Sequence, residues 1–394
     1  MNTHQIKNLE DLVHFPGAKI VNHEVTNLTS PGENFGSVML SVDILFETGT
    51  GTKKIQAVAK TVPPNEFIQE IFNTSVTFRN EIAFYKDTIP LLQNFQKQNN
   101  METIINFAPK YYGSRLNLSG GNNVDNDAAL VLENLKVRNF STLEQVKGLG
   151  YDVAKLVLTD LAYLHAVSLG FKLKHPKIFE KEILPYLEEW LPKIQNHNRL
   201  KSSVGLLIDE IEEMRPLKER IFDGFDKEMI PVPPREPFAT ITHNDCWVNN
   251  IMVKLESGVP VQTKLVDYQI CSYGSPARDL VFFLFSSVKS DVVENCYQEL
   301  VKWYHEKFIS VLRELDCDTT VFTLEYLQRE IDFEAKNSQF GHVIFMLIPI
   351  FMERKNVVDI SKLSHENMLP TEFTDLHKEK FAFVVNEFLK RNWL

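Results

Sequence analysis

The sequence predicts an α+β chain of two lobes, a small β-rich lobe over residues 1–134 and a large, mainly helical lobe over residues 135–394. Three observations predict this. Alternating, β-branched segments crowd the first part of the chain. The hydrophobic period becomes helical after residue 150 and stays so nearly to the end. One short β island, between residues 238 and 266, interrupts it. A chain of 394 residues has the length for such a fold, and 44% apolar with 24% charged residues is an ordinary globular composition. The 28 phenylalanines are spread along periodic segments and read as core.

The elements follow in order. Residues 19–27 alternate as a strand, 29–36 form a loop, and 37–46 form a second strand. Thr48-Gly49-Thr50-Gly51-Thr52 punctuates a hairpin, and 54–62 form a third strand. Pro63-Pro64 stops the sheet, and Asn65 can cap a helix. The apolar spacing Phe67, Ile71, Phe78, Ile82, Tyr85 predicts that helix as far as about residue 89. Strands are expected at 110–116 and 128–132, with helices at 152–167, 177–195 and 204–224. The β island holds strands at 238–242, 251–255 and 262–266. Beyond Pro276 the chain reads as helix, broken near 317–320 and 357–371.

A net charge of −10 argues against a nucleic-acid binder, which needs a basic face. Four cysteines, Cys246, Cys271, Cys296 and Cys317, form no C-x-x-C pair, and a reducing, cytoplasmic setting is expected. The N-terminus lacks an apolar signal core, and the longest apolar run, residues 343–352, is too short to span a bilayer.

The chemistry concentrates in the β island. A strand ends at Thr242, and His243-Asn244-Asp245-Cys246-Trp247-Val248-Asn249-Asn250 follows as a loop. Asp267 sits just after the last strand, 17 residues beyond Asn250. Asp245, Asn250 and Asp267 can therefore converge. Two carboxylates and an amide oxygen make a hard oxygen site suited to Mg²⁺ bridging phosphates, with a carboxylate left near an attacking hydroxyl. Asp-x-x-x-x-Asn followed by a strand-borne Asp is also the spacing of kinase catalytic and metal loops. A zinc reading from His243, Cys246 and Cys271 has too few ligands.

The first lobe adds an ATP-site pattern. Lys60 in Ala57-Val58-Ala59-Lys60 lies on the third strand, where an ammonium can face the phosphates, and Glu81 on the following helix can hold it there. The backbone of the loop containing Gly32, Asn34, Phe35 and Gly36 is expected to cover the nucleotide phosphates, although it lacks a G-x-G-x-x-G pattern. Glu133, Asn134 and Leu135 form the expected hinge against adenine. His165, on an apolar helical face, reads as a core or loop-bracing histidine.

These segments, with Leu161-Ala162-Tyr163-Leu164-His165-Ala166, Leu265-Val266-Asp267-Tyr268-Gln269 and Pro276-Ala277-Arg278-Asp279-Leu280, resemble the ecdysteroid kinase-like family of insects, over about residues 25–350. That family groups with choline and aminoglycoside kinases in the protein-kinase-like fold. The resemblance implies Asp245 as catalytic base and Asn250 and Asp267 as Mg²⁺ ligands. It implies Lys60 as the ATP phosphate contact with Glu81 as its partner, and His243 and Asp279 as supports of the catalytic loop. Two positions depart from the pattern. Gln269 stands where many kinases have Gly, and Asn249 beside Asn250 leaves open which asparagine is the ligand.

Arg278 comes 11 positions after Asp267, which leaves little room for a peptide-docking loop and disfavours a protein kinase. The expected partner is a small-molecule alcohol, with no nucleic acid and no membrane. The resemblance points to an ecdysteroid or other steroid-like alcohol. Residues 340–349 can line an apolar pocket, with Gly341 giving room. The alternatives are an aminoglycoside, for which Glu330, Asp332 and Glu334 are the candidate acids, choline boxed by Trp247 or Trp303, and a catalytically inactive binding protein.

Overall fold

The computed structural model describes residues 6–13, 15, 17–28, 37–188, 194–352, 369–370 and 372–394. Its first layer is an antiparallel sheet of β1 (Ala18–Asn27), β2 (Val38–Thr48), β3 (Gly51–Thr61), β4 (Tyr111–Arg115) and β5 (Ala129–Glu133), in the order β1-β2-β3-β5-β4. Strand alternation gives this sheet two buried faces. Val42, Ile44, Ala57, Ala59 and Val131 pack outward under the N-terminal segment that carries α1 (Leu9–Leu12). Lys60, Leu130 and Leu132, one residue out of phase, point the other way, toward the second lobe.

The long helix expected after Asn65 is a broken series. Asn65 does cap α2 (Glu66–Ile71), its Oδ1 accepting from the Phe67 amide at 3.0 Å. Asn73 then enters the left-handed region at φ 46°, which separates α2 from α3 (Thr74–Ala83). A π turn, Phe84–Thr88, leads into α4 (Ile89–Gln98). Pro90 has no amide hydrogen to complete an α-helical ladder there, and the wider turn accommodates that loss.

After β5 the chain turns through a 3-10 segment, Leu135–Arg138, and enters the second lobe with β6 (Phe140–Thr142). Its central helix is α5 (Tyr151–Lys174), longer than the sequence pattern suggested. This helix has the length and hydropathy to cross a membrane, but 67% of its apolar window is buried in the core. Within the region expected as helix 177–195, the described residues up to Tyr186 form short pieces, α6 (Pro176–Ile178), a π turn and a 3-10 turn at Leu184–Tyr186, with Pro185 interrupting the ladder. Next come α7 (Ile194–Asp209) and α8 (Lys218–Asp226).

The β island holds β7 (Thr240–Thr242), β8 (Ile251–Glu256), β9 (Val259–Leu265) and β10 (Ser272–Gly274). β7 pairs with β10, while β8 lies between β6 and β9 and pairs with both. The loop after β7 therefore lies beside the segment leading to α9 (Ala277–Ser287). The remaining helices are α10 (Ser290–Glu314), α11 (Leu324–Glu334), α12 (Phe340–Phe351) and α13 (Asp375–Lys390). The expected break near 317–320 separates α10 from α11. Most of the one expected at 357–371 lies outside the described residues. One hydrophobic cluster joins Val62, Phe78 and Leu132 of the first lobe to Leu161, Tyr268 and Phe282 of the second.

The N-terminal segment rests directly on β4. A Cβ on Gly113 would lie 1.8 Å from the Leu12 carbonyl oxygen, a contact that only glycine allows. Gly113→Ala is expected to lower stability by about 1–3 kcal/mol. It should also raise hydrogen exchange in residues 6–13, and unchanged exchange there would refute the packing account.

Candidate active site

Lys60 is 4% exposed, and its ammonium meets three oxygens. Glu81 Oε2 and Asp267 Oδ1 lie at 2.7 Å each, and Gln269 Oε1 accepts at 3.4 Å. Glu81 reaches it from the buried Phe78, Glu81, Ile82 face of α3, where it is 1% exposed. Burial pulls the Lys60 ammonium down, but the charges of Asp267 and Glu81 outweigh it and hold the group protonated. Burial likewise pushes the Glu81 carboxyl up, to about 7, against the pull of Lys60. Asp267 itself sits at φ 68°, a left-handed conformation that turns its carboxylate back toward Lys60.

The loop after β7 is held by a single carboxylate. Asp279, in the first turn of α9, accepts from the His243 amide through Oδ2 and from the Asn244 amide through Oδ1, each at 2.7 Å. Its Oδ2 also meets His165 Nε2 at 2.9 Å, and His165 Nδ1 meets the Tyr304 hydroxyl at 2.8 Å. Burial pushes the Asp279 carboxyl up, but the His165 contact and the His243 amide overcome it and hold it below the usual range. His165 thus braces the loop. Asn244, at φ 60°, fixes the next turn by donating to Ile270 O at 3.0 Å and Ser272 Oγ at 2.8 Å.

Asp245 follows at the loop's crest. Its amide donates to His243 Nδ1 at 3.2 Å, and His243 is kept neutral by burial, with its ring 4.6 Å from that of Tyr268. Asn250 donates both amide hydrogens to Asp245, to Oδ2 at 2.8 Å and to the backbone oxygen at 3.0 Å. This leaves Asn250 Oδ1 as the outward acceptor, and Asn250, not Asn249, is the asparagine tied to Asp245. Burial, then the charge of Asp267, push the Asp245 carboxyl well above the usual range. The Val266 amide donates to Asn250 O at 3.0 Å, which links this loop to the one bearing Asp267.

The structure therefore brings Lys60, Glu81, Asp245, Asn250, Asp267, His243 and Asp279 into one connected set. Glu133 pairs with Arg138 at 3.0 Å, Asn134 Oδ1 caps the Lys136 amide at 3.1 Å, and Leu135 is buried. These three lie where the chain leaves the sheet, and no side chain among them reaches Lys60. Gly32, Asn34, Phe35 and Gly36 lie outside the described residues.

Three expectations about the acceptor region change. Gly341 gives no room to a ligand, because its Cβ position is filled by Phe225 O at 2.8 Å and Glu228 Cβ at 2.9 Å. Glu330 and Glu334 are neither solvated nor free, since each pairs with an arginine, Arg235 at 3.0 Å and Arg278 at 3.3 Å. Asp332 accepts from Trp393 Nε1 at 2.8 Å. The Trp303 ring is already covered by Lys155 at 3.7 Å and Lys307 at 4.6 Å.

Several contacts had no signal in the sequence. Tyr304, Gln269 and Ser287, whose hydroxyl accepts from the Val248 amide at 3.0 Å, come from distant elements and match no spacing rule.

A sequence profile of the ecdysteroid kinase-like family matches residues 31–317. The chain belongs to that family. It is a phosphotransferase that acts on a small-molecule hydroxyl, and its fold is the two-lobed α+β arrangement of a sheet lobe followed by a mainly helical lobe. Among solved structures it is similar to spectinomycin phosphotransferase in complex with ADP and spectinomycin, at 12% identity and TM-score 0.44, covering 99% of this chain and 98% of that one. It is also similar to the GDP and kanamycin complex of APH(2")-IIia, at 12% identity and TM-score 0.43, covering 95% and 96%. A third is macrolide 2'-phosphotransferase MphH from Brachybacterium faecium, at 10% identity and TM-score 0.33, covering 83% and 87%. No curated protein matches the chain.

Asp279→Asn keeps the shape of the brace but removes its charge and one acceptor oxygen, so a backbone amide loses its partner. The expected cost is about 1–3 kcal/mol at neutral pH. Because the folded carboxyl is held below its unfolded value, its stabilisation is present above pH ~4 and is lost as pH falls through the lower folded value. The gap between wild type and variant in urea midpoint should therefore narrow from pH 6 toward pH 3. A gap that is constant with pH would contradict the charged brace.

Proposed function

We propose that the chain is an ATP- and magnesium-dependent kinase that phosphorylates a hydroxyl of an ecdysteroid or another steroid-like alcohol. The observation that carries this is the Lys60 ammonium, joined at 2.7 Å to a helix carboxylate and at 2.7 Å to a loop carboxylate. A triphosphate needs a fixed cation at its α- and β-phosphates, and a buried lysine held by Glu81 supplies one.

The oxygens of Asp267 and Asn250 fit Mg²⁺, which takes a few protein oxygens and completes its shell with water and phosphate. Among the described residues no group of three or more His, Cys, Asp or Glu side chains would hold a metal unaided, which agrees with an ion shared with the nucleotide. When bound, the ion neutralises charge on the phosphates.

Asp245 acts as the base. It accepts the acceptor's hydroxyl proton as that oxygen attacks the γ-phosphorus. The bond from the γ-phosphorus to the bridging oxygen breaks, and ADP leaves with its electron pair. Asn250 fixes the Asp245 carboxylate, and Asp279 fixes the loop that presents it.

Family membership supports an ecdysteroid-like acceptor. So does the lack of a free acidic cluster among the described residues at 330–334, where Glu330 and Glu334 are paired with arginines and a polycation would find no uncompensated charge. Occupation of the Trp303 ring by Lys155 and Lys307 weighs against a choline box there.

The test is a phosphorylation screen of steroid, choline and sugar alcohols with mass analysis of products. Steroid phosphates are expected, and the absence of both a phosphorylated alcohol and ATP binding would sink the kinase reading. Asp245→Asn should lower turnover by about 10²–10⁴-fold. ATP affinity should stay within a fewfold, so normal turnover in that variant would remove Asp245 from the role of base.

A further inference from the structure

α12 carries a stripe that the reaction above leaves unused. His342, Phe345 and Pro349 follow one another at helical spacing, and each is half-buried, whereas Val343, Ile344 and Leu347 between them are buried. The orientation of the stripe is fixed from behind, because Gly341 lets α12 lie flush against Phe225 O and Glu228. The His342 ring stacks on Phe282 of α9 with centroids 4.1 Å apart and an interplanar angle of 21°. Phe282 lies one turn beyond Asp279, so the imidazole is anchored to the helix that braces the catalytic loop.

Burial pulls the His342 imidazole down to about 4, and the charges acting on it are those of Asp279 and Arg278. At neutral pH the ring is uncharged, with one nitrogen a donor and the other an acceptor. Neither nitrogen has a hydrogen-bond partner among the described residues. Buried polar groups are normally paired, and His165 shows the ordinary case, with both nitrogens bonded. His377 also lacks a partner at Nε2, but it is enclosed at 2% exposed. His342 keeps an open edge.

We infer that this stripe is the acceptor-recognition surface, with His342 hydrogen-bonding a hydroxyl or keto group of a rigid apolar alcohol whose rings lie along Phe345 and Pro349. From His342 to Pro349 the helix runs about 10 Å, the span of a fused polycyclic skeleton. A neutral imidazole suits an uncharged oxygen substituent, and the apolar remainder suits an apolar ring system; a polycation would find no charge here. The inference rests on the small-alcohol kinase reading.

The test is calorimetric binding of 20-hydroxyecdysone to the full-length chain, with an ATP analogue titrated in parallel. His342→Phe keeps the stack on Phe282 but removes the hydrogen bond, and steroid affinity should fall by about tenfold or more. His342→Gln, which restores a donor and an acceptor, should recover part of it. Phe345→Ala should also weaken the steroid, and none of the three should change ATP-analogue affinity by more than about twofold. Wild-type steroid affinity in both His342→Phe and Phe345→Ala overturns the inference, as does a wild-type chain that binds no steroid. Binding without phosphorylation leaves the surface standing and removes the kinase reading instead.

Discussion

A buried ammonium is held protonated where negative charge is buried with it, and Lys60 meets that condition by drawing on three parts of the chain. The sheet supplies the lysine, α3 supplies Glu81, and the loop after β9 supplies Asp267. Removing any one of the three leaves an uncompensated charge in a dry place, which costs more than the intact set contributes. The relative placement of sheet, helix and loop is therefore tied to the electrostatics of one side chain. Gln269 completes the set as a neutral third acceptor, and it ties the turn after Asp267 to the same strand.

A second constraint organises the lobe that carries Asp245. Asp279 uses both oxygens on consecutive backbone amides and a third contact on His165, so the loop's direction is set before Asp245 is reached. Left-handed Asn244 then reverses the chain, and Asn250 takes hold of the Asp245 carboxylate. The unusual pairing of β7 with β10 makes this possible, because it brings the start of α9 beside the loop. The acids of α11 take a different part. Paired with Arg235 and Arg278, Glu330 and Glu334 hold helices together.

Much of this was legible in the sequence wherever a residue's partner is close in sequence or its spacing is fixed by chemistry. Asp245 and Asn250 are five apart because one side chain must hold the other. Lys60 falls on a strand face opposite Ala57 and Ala59, and alternation alone places it. The helix after Asn65 was misread as continuous, since its apolar spacing persists through Asn73 and Pro90 while the backbone does not. Strands β6 and β10 escaped notice because three residues are too few to show a period. Gly341 looked like space for a ligand, but a glycine in a helix as often marks a place where another backbone comes close. Glu330 and Glu334 looked free to meet an aminoglycoside because their arginine partners lie about 50 or more residues away. Long-range pairing of that kind leaves no local trace.

The hydrophobic cluster that runs from Val62 and Leu132 into Leu161 and Phe282 has a consequence for how the molecule gains and loses its structure. The two lobes share part of an interior, and residues of the helical lobe cover the inner face of the sheet. Severing the chain at the hinge would strip the inner face of the sheet of its cover and expose Phe78, Leu130 and Leu132 to water. A lesion in the helical lobe at that shared interior then weakens the sheet without touching it.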